Sequence, residues 1–231
     1  MRVTLLLLLL VAAVCLGLWT SGWRPPDRYN PWAPLDLRAV PDLFLGYKLH
    51  RLGEDPPRCR AALAQAGARF VPLPDHVGND GCGWHDAVQL SGTGFAQLTH
   101  ATTVSCPLAA SLVLLDRHVV QPLAHTSFDQ PVRKIDHVGS YACRHVYGER
   151  DAALSAHATA DAIDVTAFQL ANGQQIRIRS DWSRGQPGVF LHRLEDQGCR
   201  YFGIVLGPDY NAAHQTHFHL QAGGGIGGWC R

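Results

Sequence analysis

The chain opens on an uncharged apolar run from Val3 to Trp19, after which apolar positions recur only in short periodic groups. The run has about the minimum length of a membrane-spanning helix, roughly 17 residues. The residues that follow it, Thr20-Ser21-Gly22-Trp23-Arg24-Pro25-Pro26, hold no small-residue cleavage pattern. This favours an uncleaved signal anchor over a removed signal peptide. Cys15 offers a lipid attachment point, but Val14 stands before it where a small residue is wanted. Arg2 flanks one end of the run and Arg24 and Arg28 the other, so charge leaves the orientation open. Residues 21–40 are rich in proline and read as an extended linker off the membrane.

Periodicity then predicts helices before strands. Asp42 to Leu52 places Leu43, Leu45 and Leu49 at helical intervals, and Asp55-Pro56-Pro57 is a capped helix start running to Gly67. Phe70 to Pro74 and Ala87 to Leu90 read as short strands. The longest helical pattern runs from Ser105-Cys-Pro107 to about Ala124, with Leu108, Leu112, Leu115 and Val119 on one face and Asp116, Arg117 and His118 facing elsewhere. Val132 to Cys143 alternates as a half-buried strand. Ala162 to Phe168 and Gln174 to Ile178 read as strands joined at Asn172-Gly173, a hairpin signal. Pro187 to Gly198 is a helix closed by glycine, and Phe202 to Leu206 and Thr216 to Gln221 are strands. The glycine-rich tail from Gly223 to Gly228 reads as loop. The expected architecture is α+β over residues 41–231: N-terminal helices packed on a small, mainly antiparallel sheet.

Composition narrows this picture. With 231 residues and 46% hydrophobic positions the chain can bury one good core. A formal charge of +1 without a basic stripe argues against nucleic acid as a partner. Beyond Cys15 the cysteines are Cys59, Cys82, Cys106, Cys143, Cys199 and Cys230, an even set with no C-x-x-C pair. Disulfides in an oxidising compartment fit this set better than a zinc finger, with buried free thiols as the alternative. Cys143, which ends a strand-like stretch before the first histidine cluster, and Cys199, which follows a helix-like stretch before the second, are the favoured pair.

Those clusters carry the chemistry. Ser155-Ala-His157-Ala-Thr-Ala-Asp161-Ala-Ile-Asp164 and His214-Gln-Thr-His217-Phe-His219 together offer the ligands of one hydrolytic zinc, which takes three protein donors and leaves a position open to water. His157, Asp164 and His219 would be the three, with His214 and His217 beside the open position. A helix is the wrong geometry for the first cluster, because two turns would separate His157 from Asp164 by about 10.5 Å. A loop folding back onto a strand that contains Asp164 solves the distance. On that strand Ile163 faces the core and Asp164 the cleft. His217 and His219, two apart on an extended segment, point to one side about 6.6–7 Å apart.

The two clusters resemble the Ser-x-His-(six)-Asp and His-x-His motifs of zinc peptidases that include D-alanyl-D-alanine carboxypeptidases, the penicillin-insensitive murein endopeptidase and the Hedgehog signalling domain. The stretches Gly139-Ser-Tyr-Ala-Cys-Arg144, Asp181-Trp182, Cys199-Arg-Tyr-Phe-Gly, Leu206-Gly-Pro-Asp-Tyr-Asn211 and His214 to Leu220 resemble the bacterial extensin-like C-terminal domain family, over about residues 40 to 231. The resemblance implies a Hedgehog/D-Ala-D-Ala peptidase-like fold, Zn²⁺ held by His157, Asp164 and His219, and His217 as catalytic, with His214 matching a further histidine of the endopeptidase. Two positions depart from the pattern. Ala160 stands where many of the carboxypeptidases have Gly, and Thr216 stands where they place a glutamate base. Arg144 is a candidate for holding a substrate carboxylate or a developing oxyanion, with a surface ion pair as the plain alternative. Asp161, Asp181 and Trp182 read as structural.

The resulting expectation is a zinc metallopeptidase of the periplasm, anchored in the inner membrane by residues 1–20 and acting on peptidoglycan peptides. The rival expectation is a non-catalytic cell-wall or partner-binding module that keeps a structural zinc.

Overall fold

The computed structural model describes residues 2–149, 151–223 and 228–231; residues 224–227 of the glycine-rich tail lie outside the described residues. Helix α1 (Arg2–Thr20) is exposed from Val3 to Thr20, a stretch long and apolar enough to cross a membrane or to serve as a signal sequence. The proline-rich stretch does not stand wholly clear of the domain. Ala33 and Leu37 are buried, Lys48 donates to the Asp27 carbonyl and pairs with Asp42 at 2.6 Å, and Arg51 donates to the Trp32 carbonyl. Two apolar side chains among the prolines thus add to the core, which costs little because proline has less freedom to lose.

Helices α2 (Leu45–Gly53) and α3 (Pro56–Gln65) follow, the second capped by the Asp55 carboxylate, which accepts from the Arg58 amide. Strands β1 (Arg69–Pro72), β2 (His76–Val77), β3 (Gly83–Trp84), β4 (Ala87–Gly92) and β5 (Gln97–Ser105) lead into α4 (Cys106–Leu115). Helix α4 is buried from Leu108 to Leu115, as a sequence apolar but for Ser111 demands. It does not continue unbroken to Ala124. A π-helical turn, Asp116–Val120, intervenes before α5 (Gln121–Phe128). The turn widens ahead of Pro122, which has no N–H to offer and whose ring would clash with the carbonyl of His118 in a regular helix. Asp116 does not face outward either. It is fully buried and receives hydrogen bonds from the Thr93 hydroxyl, the Ala96 amide and the Gln121 side-chain amide.

After β6 (Val132–His137) come β7 (Ala162–Leu170), β8 (Gln175–Arg177), α6 (Ile178–Asp181), α7 (Gly185–Gly198), β9 (Ile204–Leu206), β10 (Phe218–Gln221) and β11 (Trp229–Cys230). Among the described residues nine strands form one sheet in the order β1-β4-β5-β6-β7-β10-β9-β11, with β8 also on β7, while β2 and β3 pair separately. The expected small, mainly antiparallel sheet is therefore corrected to a large mixed one: β5 and β6 run parallel, as do β9 and β11. The helical excursion α4 to α5 supplies the long crossover that a parallel pair needs. Strand β5 carries no clear alternation in Gln97-Leu-Thr-His-Ala-Thr-Thr-Val-Ser105, which is why pattern alone passes over it. The core joins the helices to Val88, Leu98, Ile135, Ile163, Val165, Phe218 and Leu220 of the sheet.

Three disulfides staple the fold: Cys59–Cys106, Cys82–Cys143 and Cys199–Cys230. The Cys143–Cys199 pairing is thus wrong. Cys143 follows β6 and meets the β2–β3 turn, whereas Cys199 at the end of α7 meets β11. These disulfides fit a domain outside the cytoplasm.

Candidate metal centre

Register decides the site. Strands β7 and β10 pair antiparallel with His219 directly opposite Asp164, and Phe218 opposite Val165. Direct cross-strand partners share a face, so His219 and Asp164 turn to one side while Ile163, Val165, Phe218 and Leu220 enter the core. His157 arrives from the 3-10 turn Ala156–Thr159, which immediately precedes β7. Ser155 caps that turn, its hydroxyl accepting from the His157 amide, and Ala160 closes it in the left-handed region at φ 59°. The fold-back required by the spacing is therefore present, and glycine at position 160 would suit this backbone better than alanine does.

His157 Nε2 lies 3.1 Å from His219 Nδ1 and 3.3 Å from Asp164 Oδ1, and His219 Nδ1 lies 3.1 Å from the same oxygen. In a tetrahedron with bonds of about 2.0–2.1 Å, ligand atoms stand about 3.3 Å apart. The three donors match one face of such a tetrahedron, and this group is able to hold a metal ion. His157 Nδ1 donates to the Ser140 carbonyl at 2.6 Å, which fixes the ring orientation and turns Nε2 toward the other two donors. The Ser140 hydroxyl is itself anchored on the Ala162 carbonyl at 2.6 Å. Burial works to raise the Asp164 carboxyl, but hydrogen bonds from His157 and His219 and the nearby charges of His157 and His217 outweigh it and hold the group well below the usual carboxylate range.

The other two histidines border this group. His217 Nε2 lies 3.5 Å from Asp164 Oδ1, and its Nδ1 meets the Thr216 hydroxyl at 3.3 Å. Burial lowers the His217 pKa against the opposing pull of Asp164, and the charges of His219, His157 and Arg144 lower it further. His214 is buried and stacks at 5.2 Å from His217. Burial first, then the charges of His217 and His219, push it down to about 4, so its imidazole is neutral at pH 7. His214 Nδ1 donates to Asn211 Oδ1 at 2.8 Å, and Asn211 in turn donates from Nδ2 to the Tyr147 hydroxyl at 2.9 Å. This relay leaves His214 Nε2 as the basic atom.

Arg144 is exposed, makes no side-chain hydrogen bond or ion pair among the described residues, and is close enough for its charge to act on both His214 and His217. Asp161 accepts from the Thr159 hydroxyl, Asp181 from the Arg177 amide, and Trp182 is buried against Phe218 with its indole N–H on Asp209. Asp181 and Trp182 are structural in this arrangement, and Asp161 holds the 3-10 turn through Thr159. Sequence reasoning passed over the orienting roles of Ser140, Asn211 and Tyr147. Ser140 and Asn211 sit inside the stretches that carried the family resemblance, but a backbone carbonyl and a side-chain amide leave no pattern by which their partners could be read.

No curated protein and no solved structure matches the chain. Residues 57–231, well over half of the chain, match the family model for the extensin-like protein C-terminus, and the chain belongs to that family.

Proposed function

We propose that the protein is a zinc metallohydrolase that cleaves peptide bonds in the stem peptides or cross-links of peptidoglycan, held at the inner membrane by α1 with its domain in the periplasm. The observation that carries this reading is the triangle of His157 Nε2, Asp164 Oδ1 and His219 Nδ1, with edges of 3.1 to 3.3 Å. Two imidazoles and one carboxylate form a donor set of the catalytic-zinc type. Bound there, Zn²⁺ would lower the pKa of a water to about 7 and polarise a carbonyl.

The chain's own residues divide the remaining work. His217, whose pKa burial lowers, takes the proton from the attacking water at Nε2 and returns it to the departing amine. His214, fixed by Asn211, supports it from 5.2 Å away. Arg144 receives negative charge on the substrate. The test is incubation of the protein with peptidoglycan, with and without a chelator, followed by mass analysis of the released muropeptides. New peptide termini that vanish on chelation are expected. Intact muropeptides from a zinc-loaded sample would sink the reading.

One observation favours a second reading, a binding module that keeps the metal for structure. The position of the expected glutamate base is Thr216, whose hydroxyl meets His217 Nδ1, and Asp164 is the one carboxylate of the metal-binding group. Glu195 lies instead against Gly207. Retention on peptidoglycan without cleavage would select this alternative.

A further inference from the structure

Two clefts flank the back of the turn that carries His157. One, of about 460 Å³, is walled by His76 and Trp84 on one side and Thr159 and Asp161 on the other. The second, of about 470 Å³, shares Thr159 and Asp161 and continues past Leu154, Ala156 and Gln221. Each is in the size range of a small-ligand site. Among the described residues neither is lined by the three metal-binding residues, and neither has a Lys or Arg in its lining. The aromatic wall is rigid. Trp84 stacks at 4.6 Å from His76 and meets Tyr141 edge-on at 4.7 Å, and its indole N–H donates to the Pro74 carbonyl. The Cys82–Cys143 disulfide ties this hairpin to the segment bearing Tyr141 and Ser140. Gly83 allows the turn, since a Cβ there would lie 2.1 Å from the His76 carbonyl oxygen.

We infer that these two clefts, which share Thr159 and Asp161 as a wall, bind the glycan strand of the cell wall, as a run of neutral N-acetylated amino sugars. The choice of this sugar rests on the peptidoglycan reading above. The chemistry of the walls supplies the rest. Sugar rings offer apolar C–H faces to aromatic side chains and hydroxyl and amide edges to polar ones. His76 and Trp84 meet the first need, and Thr159, Asp161 and Gln221 the second. Among the described residues the guanidinium that suits an anionic stem peptide, Arg144, stands on the histidine side rather than in these clefts. The 3-10 turn joins the two sides: Thr159 is two residues from His157, a rise of about 4 Å. A strand lying in the clefts would hold its peptide branch next to the metal-binding group.

The test is titration of the full chain in detergent, stripped of metal by a chelator, with the β-1,4-linked tetramer of N-acetylglucosamine, followed by calorimetry or ligand-observed NMR. Saturable binding with a Kd of about 1 mM or tighter is expected. Trp84→Ala should weaken it by about fivefold or more, and so should Asp161→Asn, which retains the shape of the side chain and guards against loss of the hairpin in the first variant. No saturation by about 10 mM, or binding unchanged in Asp161→Asn, overturns the proposal. So does displacement of the tetramer by a sugar-free stem peptide. Because this titration uses neither metal nor peptide bond, its outcome is separable from that of the cleavage assay.

Discussion

His157, Asp164 and His219 differ from His217 in what their loss should do. His157→Ala or His219→Ala removes a corner of the triangle and should abolish stoichiometric zinc, measured by elemental analysis after dialysis. His217→Ala should retain zinc and lose turnover by about 100-fold or more, the scale of a missing acid–base group. Normal cleavage by His217→Ala would exclude the proton path given above. Asn211→Ala should also retain zinc but free the His214 ring, visible as loss of the hydrogen-bonded Nδ1–H signal by NMR. Glu195 belongs to stability. Burial, with the charges of Asp209 and Asp196 adding to it, pushes its carboxyl up to about 7, and its Oε1 is buried without a partner. A folded-state pKa above the unfolded value means that the native state holds the proton more tightly. Stability is therefore lost as pH rises from the ordinary glutamate range through about 7. Glu195→Gln should gain about 1–2 kcal/mol over the parent at pH 8, allowing for solvent screening of a half-buried group, and almost nothing at pH 5. Urea melts at the two pH values measure the difference, and an equal effect at both would refute it.

The β7–β10 pair is the element on which the site depends, and its local signals were already strong. Alternation in Ala162-Ile-Asp-Val and in His217-Phe-His-Leu220 states which side chains share a face. The hairpin at Asn172-Gly173 closes as its sequence demands, with Gly173 at φ 88° and Asn172 Oδ1 accepting from the Gln174 amide. Helix α3 begins at the Asp-Pro-Pro signal for the same local reason. Strand β5 and the π-turn before Pro122 were less legible, since the first is defined by its neighbours and the second by a clash within a helix. Disulfide pairing was not legible at all, being a matter of which distant Cβ atoms converge. The Cys82–Cys143 bridge closes a separation of 61 residues and ties the β2–β3 hairpin to the segment that orients His157. The double variant Cys82→Ala/Cys143→Ala should lose about 2–4 kcal/mol of stability. It should also bind zinc more weakly, measured by competition with a chromophoric chelator. Unchanged zinc affinity would show that the bridge serves stability alone.

At the scale of the whole molecule, the exposed apolar helix α1 and the three-disulfide domain point to a chain that leaves the cytoplasm. If α1 is an uncleaved anchor, the full chain should stay with membranes through a high-salt, alkaline wash and be released by detergent. Recovery in the soluble fraction with a shortened N-terminus would identify α1 as a signal sequence. The sequence by itself determined the α+β class, the apolar helix and the fold-back of the first cluster, because each follows from spacing along a few consecutive residues. Only the tertiary structure decided the parallel junction of β5 with β6, the disulfide partners, the burial of Asp116, and the contact of Ser140 with His157. Each of these joins positions far apart in the chain, where the crossover of α4 and α5 and the packing of the core, not local preference, set the distance.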